Sequence, residues 1–136
     1  MLRSANARTS TSGLPLPGFQ ISEPARSGRA SVIAVSGELD LATAPQLREA
    51  LARALTDVDH EVIVDMSGVT FIDSTALRVL LDAQRTRGSA RPLVVVCDQL
   101  NVLRIIKITA FAGAFEIFST LEKAVERVRE RPSPRT

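Results

Sequence analysis

The stretch "VIVDMSGVTFIDSTALRVLL", Val62 to Leu81, decides how this chain is read. "EVIVD", Glu61 to Asp65, is a short apolar run without alternation, which predicts a strand covered on both faces. A short loop, Ser67 to Asp73, follows, and Ser74 and Thr75 stand where a helical pattern begins. That helix sets Leu77, Leu80, Leu81 and Gln84 in a row and stops at Gly88, a residue suited to a C-terminal cap. "PLVVVC", Pro92 to Cys97, is another wholly apolar strand. Strand, helix and strand in that order make a right-handed crossover between parallel strands.

Upstream, Phe19 and Ile21 alternate with polar neighbours, as a short edge strand does. "EPARSGR", Glu23 to Arg29, turns the chain, and "SVIAVSG", Ser31 to Gly37, returns as the second arm of a hairpin. After "GELD", Thr43 and Gln46 have capping-box spacing and Pro45 falls in the first turn of a helix. Leu47, Ala50, Leu51, Ala54 and Leu55 form its apolar stripe. Downstream, a helix at about 100–107 turns Leu103 and Ile106 inward, with Asp98 near its start, and "AFEIFS", Ala114 to Ser119, is a last strand. Ser119 and Glu122 then open a final helix whose Leu121, Ala124, Val125 and Val128 keep helical spacing. The fold class is α/β: a single-domain sandwich with a mixed sheet of about five strands and about four helices packed against it. The domain is expected over 18–130, between flexible tails at 1–17 and 131–136.

With 136 residues, 45% apolar and 24% charged, the chain has the size and composition of one soluble globular domain. A formal charge of +2 is too small to point to a polyanionic partner, and no nucleic acid is expected. Trp and Tyr are absent, and the five phenylalanines, Phe19, Phe71, Phe111, Phe115 and Phe118, mostly sit among apolar neighbours, as core residues do. The single cysteine, Cys97, reads as a small buried hydrophobe. No apolar run approaches the roughly 20 residues of a membrane helix, so no membrane partner is expected. The N-terminus lacks an apolar signal core, and a cytoplasmic protein is the expectation.

Asp40, Asp65 and Asp73 each follow a predicted strand, where ligands gather in open α/β sheets. Asp65 is the best candidate for a magnesium site or a phospho-accepting aspartate. A receiver needs paired acids after its first strand and a lysine after a late one, and here Lys107 lies within a helical pattern. Asp65 is therefore read as holding its own loop by accepting N–H bonds. His60 has no Ser or Cys partner suggested by spacing and reads as a solvent-facing loop residue. Neither GxxxxGK[ST] nor GxGxxG occurs, and metal-ligand spacing is absent. No catalytic residue, metal or cofactor is expected. Asp73, Ser74 and Thr75 all suit a helix start, so either they cap the helix or a hydroxyl is there to be modified.

"FIDSTAL" after "VIVDMSGV" resembles the phosphorylation loop of the anti-sigma factor antagonists, members of the sulfate transporter and anti-sigma antagonist (STAS) domain family. "SGELD", Ser36 to Asp40, resembles the family's earlier turn, and "ITAFAGAFEIFSTLEKAVE", Ile108 to Glu126, its C-terminal portion. The likeness runs over about residues 18–130. Thr75 stands for the usual second serine, Ala76 for a glycine, Arg78 for a small residue, and Thr109-Ala110-Phe111 for Thr-Gly-Leu. The resemblance implies a STAS-like sandwich and a non-catalytic switch. Ser74, with Thr75 as the second candidate, is phosphorylated by the partner, an anti-sigma factor with a serine-kinase fold. The unmodified form captures that partner and frees a sigma factor; the phosphorylated form lets go, and a phosphoserine phosphatase resets it. The implied contact surface comprises Gly37, Glu38, Leu39, Asp40, the loop from Ser67 to Asp73, Ser74, Thr75 and Arg78. Arg78 lies one helical turn after Ser74, within reach of a phosphate there. A STAS-type scaffold module and a receiver-like phosphotransfer protein are the alternatives.

Overall fold

Alternating side chains along one central strand sort the core onto the two faces of a sheet. The structure, a computed structural model, describes residues 18–56, 60–88, 91–109 and 114–131. The expected N-terminal tail, positions 132–136, and Ala110 and Phe111 lie outside the described residues. In chain order the elements are β1 (Phe19–Ile21), β2 (Ala25–Ser27), β3 (Ala30–Leu39), α1 (Ala44–Ala54) and β4 (Glu61–Ile72). They continue with α2 (Ser74–Arg87), β5 (Leu93–Val96), α3 (Leu100–Thr109), β6 (Phe115–Phe118) and α4 (Leu121–Glu130). Val62, Val64 and Met66 of β4 join Ile33, Val35, Leu93 and Val95 in a core covered by α1, α2 and α3. Ile63 joins Ala30, Val94 and Val96 on the opposite face, against Ala124 and Val128 of α4. Both faces are buried, so the run "VIV" has no reason to alternate in polarity.

Among the described residues the sheet has six strands, in the order β1-β3-β4-β5-β6, with β2 also on β3. β3 through β6 are parallel, and β1 pairs antiparallel with β3 as the expected hairpin. The sixth strand lies inside the expected turn: Gly28, at φ +60°, reverses the chain tightly enough for Ser27 to pair with Ala30.

The longest departure from the sequence pattern is in β4. Ala34 faces Asp65 but Ser36 faces Gly68, and Gly37 faces Val69 but Glu38 faces Phe71. Each jump leaves one extra residue on β4, a β-bulge. The strand therefore runs on to Ile72, and Ser67 to Ile72, expected as a loop, is strand. A Cβ at Gly68 would press on the Ser36 side chain, so the first bulge favours glycine. Asp65 consequently lies within the strand, not at its end. Its Oδ1 accepts the Ser67 N–H at 3.1 Å and the Ser67 hydroxyl at 2.8 Å, the local role expected of it.

The helix ends follow local chemistry with small shifts. Pro45 sits in the first turn of α1, but Thr43 makes no capping bond; its hydroxyl accepts the Asp40 N–H at 2.8 Å and donates to the Glu38 carbonyl at 2.9 Å. The Thr43–Gln46 capping box is thus replaced by a closed turn. In α4 the cap is Thr120, accepting the Lys123 N–H at 3.1 Å, one residue beyond the expected Ser119. Gly88, at φ +95°, ends α2 as expected. Gln84 is buried because its amide donates to the Gly88 carbonyl and accepts the Leu93 N–H.

An ionic cluster closes the N-terminal end of the parallel strands. Glu61 Oε1 meets Arg131 Nη1 at 2.9 Å and Arg87 Nη2 at 3.5 Å, and Arg131 also reaches Glu116. The Arg87 side chain is 3% exposed and donates to the carbonyls of His60 and Arg91. Two sequence expectations fall here. His60 is buried, not solvent-facing, beneath the arginine cluster whose Arg87 and Arg91 donate to its carbonyl. Arg131 belongs to the folded domain and not to a loose tail. Burial, with Arg91 beside it, pulls Arg87 below the ordinary arginine pKa, against the opposing pull of Glu61. Glu61 is thus the counter-charge the cluster needs most. Glu61→Ala should cost about 3–5 kcal/mol in urea denaturation. Arg87→Met should cost less, because Arg131 keeps its carboxylate.

Candidate functional site

Parallel pairing brings β3 and β4 to an end together, with Leu39 opposite Ile72. The segments that follow leave the sheet side by side. Asp73 joins them: its N–H donates to the Leu39 carbonyl at 3.0 Å, and its Oδ2 accepts the Leu41 N–H at 3.2 Å. Its other oxygen, Oδ1, accepts the Ala76 N–H at 3.0 Å and so caps α2. Asp40 is turned into its own loop, its Oδ1 accepting the N–H groups of Ala42 and Thr43 at 3.0 and 3.2 Å.

Because Asp73 does the capping, Ser74 does not. Ser74 is the first helical residue, exposed, and its hydroxyl makes no hydrogen bond to a described residue. Among the described residues the N–H groups of Ser74 and Thr75 have no acceptor either. An exposed hydroxyl, two unpaired donors and the positive end of a 14-residue helix meet at one point. Such an end accommodates an anion.

The other expected contact residues divide. Glu38 is exposed, and Thr75 is half-buried at the helix start. Arg78 is exposed and pairs with Asp82 at 3.7 Å, one turn further from Ser74, where Arg85 also reaches Asp82 at 3.3 Å. Gly37 has φ +97°, and a Cβ there would overlap the Gly18 carbonyl, so the β1 hairpin itself demands glycine. Leu39 is corrected outright: its side chain lies in the core, out of reach of any partner. One neighbour, Leu41, lay outside the expected contact surface, and another, Phe71, lay inside the expected contact loop but was also read with the core phenylalanines. Leu41 is 72% exposed and Phe71, expected in the core, is 45% exposed. Leu41 follows a strand and precedes the stripe of α1, so it fits neither apolar pattern; that isolation was the available signal.

Cys97 is buried as expected, and burial pushes its thiol pKa up, away from reactivity. Among the described residues no three His, Cys, Asp or Glu side chains gather as metal ligands, and no helix is long and apolar enough to cross a membrane.

Residues 23–124 match the model of the STAS domain. The chain belongs to the STAS domain family. This STAS domain is similar to the anti-sigma-F factor antagonist RsfB of Mycobacterium tuberculosis, at 31% identity over 99 residues, covering 73% of this chain and 81% of that protein. It is also similar to the anti-sigma-B factor antagonist of Listeria monocytogenes, at 34% identity over 88 residues, 62% of this chain and 75% of that one. The crystal structure of an anti-sigma factor antagonist from Mycobacterium paratuberculosis superposes with a TM-score of 0.74. The two chains are 28% identical, over 86% of this one and all of the other.

The division of labour between neighbours has a thermodynamic signature. Asp73→Ala should destabilise the STAS domain by about 1–2 kcal/mol through the lost cap. Ser74→Ala should stay within about 0.5 kcal/mol of the parent in the same urea titration.

Proposed function

We propose that this STAS domain is an anti-sigma factor antagonist, switched by phosphorylation of Ser74. The observation that carries the reading is the idle, exposed Ser74 hydroxyl beside an Asp73 that already caps the helix. A hydroxyl with no task in the fold is free for a partner to modify. The names of the relatives support the antagonist part of this reading. The unmodified protein captures an anti-sigma factor with a serine-kinase fold, and that partner transfers phosphate to Ser74. A phosphoserine phosphatase reverses the transfer.

The electrostatics suit a switch that leaves the fold intact. A phosphoserine brings a charge of about −1.5 to −2. The unpaired N–H groups of Ser74 and Thr75 and the helix dipole stabilise that charge within the domain. The partner's surface meets it as bulk and as added negative potential beside Asp73. A loss of about 3 kcal/mol of binding weakens affinity on the order of a hundredfold, enough for release. Arg78, one helical turn after Ser74, shares the phosphate by swinging from Asp82, which keeps Arg85.

Incubation with a kinase-type anti-sigma factor and ATP, followed by mass spectrometry, should place a single acid-stable phosphate on Ser74. Ser74→Ala should retain the partner and Ser74→Asp should weaken it about tenfold or more; equal affinities would overturn electrostatic release. Arg78→Ala should raise the second pKa of phospho-Ser74 in a phosphorus NMR titration, since a cation that favours the dianion is removed.

A further inference from the structure

A surface helix normally turns polar residues to water. α3 does not. Val102 and Ile106 are fully buried against the sheet, yet on the outer side Leu100 is 74% and Ile108 64% exposed, with Ile105 partly exposed beside them. Leu100, Arg104 and Ile108 recur at intervals of four residues and so form one stripe, with Lys107 next to it. Arg104 and Lys107 are exposed and make no ion pair with a described residue. An uncovered aliphatic strip carrying two uncommitted cations suits an apolar surface bordered by carboxylates.

The position of this strip says which partner brings that surface. Asn101 Nδ2 donates to the Thr70 carbonyl at 3.0 Å, holding the start of α3 beside the last turn of β4, next to Phe71. Because β3, β4 and β5 are parallel, the residues that follow them leave the sheet at one edge. Leu41, Phe71, Ser74 and Leu100 all lie on that edge. The α3 strip therefore begins, at Leu100, beside the exposed apolar side chains near Ser74.

We propose that the outer face of α3 is a second docking area for the anti-sigma factor, one that acts independently of Ser74. It rests on the reading above and refines it: the Ser74 edge supplies the switched part of the affinity and α3 the constant part. Its chemistry is apolar burial on Leu100 and Ile108, steered by Arg104 and Lys107 toward acidic groups on the partner. The phosphorylated antagonist then keeps a weak hold on the anti-sigma factor, and that residual hold resides on α3.

The test compares binding of the kinase-type anti-sigma factor to the full chain, to Leu100→Gln/Ile108→Gln, to Arg104→Glu/Lys107→Glu, and to each pair combined with Ser74→Asp. All four positions are exposed, and circular dichroism with thermal melts verifies the fold. The aliphatic pair should weaken the unmodified complex about tenfold or more and abolish the residual binding of Ser74→Asp. The charge-reversed pair should weaken binding and flatten its dependence on salt. Unchanged dissociation constants for both pairs, with Ser74→Asp still releasing the partner, would overturn the α3 proposal alone. Failure of the parent chain to bind any kinase-type anti-sigma factor would remove the functional reading and this one with it. A parent that sediments as a dimer, becomes a monomer in the aliphatic pair and keeps its partner affinity would assign the strip to a second copy and overturn the proposal.

Discussion

The parallel pairing of β3 with β4 is the constraint on which the site depends. It begins with the Glu61 N–H on the Arg29 carbonyl and ends with the Asp73 N–H on the Leu39 carbonyl. Parallel strands must send their following loops out at the same edge. The turn of Asp40 to Thr43 and the start of α2 are neighbours for that reason alone. Asp73 then makes the neighbourhood rigid, since one carboxylate holds the Leu41 N–H and the Ala76 N–H together. Ser74 inherits its position from this frame without contributing to it.

The two ends of the sheet handle charge in opposite ways. At the N-terminal end, guanidinium groups are drawn inward onto Glu61 and onto main-chain carbonyls, and Arg87 is almost fully shielded. That end is sealed. At the C-terminal end the carboxylates of Asp40 and Asp73 are held by main-chain N–H groups, and the aliphatic and aromatic side chains face water. The helix start there already holds one carboxylate and leaves the N–H groups of Ser74 and Thr75 without an acceptor among the described residues.

Much of this was legible in the residues. Period and composition identified the buried strands around Val62–Val64 and Leu93–Val96, the four helices, and the place where α2 begins. What failed did so for local physical reasons. β2 has three residues, none fully buried, and carries no periodic signal. The stretch from Ser67 to Phe71 lost its alternation to the bulges and so read as a loop. Among Asp73, Ser74 and Thr75, the choice of cap turned on backbone conformation at Asp73, which is extended at φ −113° and ψ 179°. No composition argument predicts that. The exposure of Leu100 was equally hidden, whereas that of Leu41 was signalled only by its isolation between two patterns, and Phe71 lay in the loop expected to meet a partner. Leu39 failed in the other direction, its place in a motif suggesting a surface that its burial denies.

The doubled bulge in β4 has a consequence of parity. Up to Met66 the even-numbered residues face the helices α1 to α3; after one extra residue the odd-numbered Val69 takes that side, and after a second Ile72 restores the original phase. Had the strand accumulated only one such insertion, Phe71 would stand opposite Leu39 inside the molecule and Ile72 would point to water. Asp73, next along, would then be turned off the Leu41 amide. The irregularities therefore work only as a pair: each undoes the phase error of the other, and between them they bring an aromatic ring to the surface beside a serine.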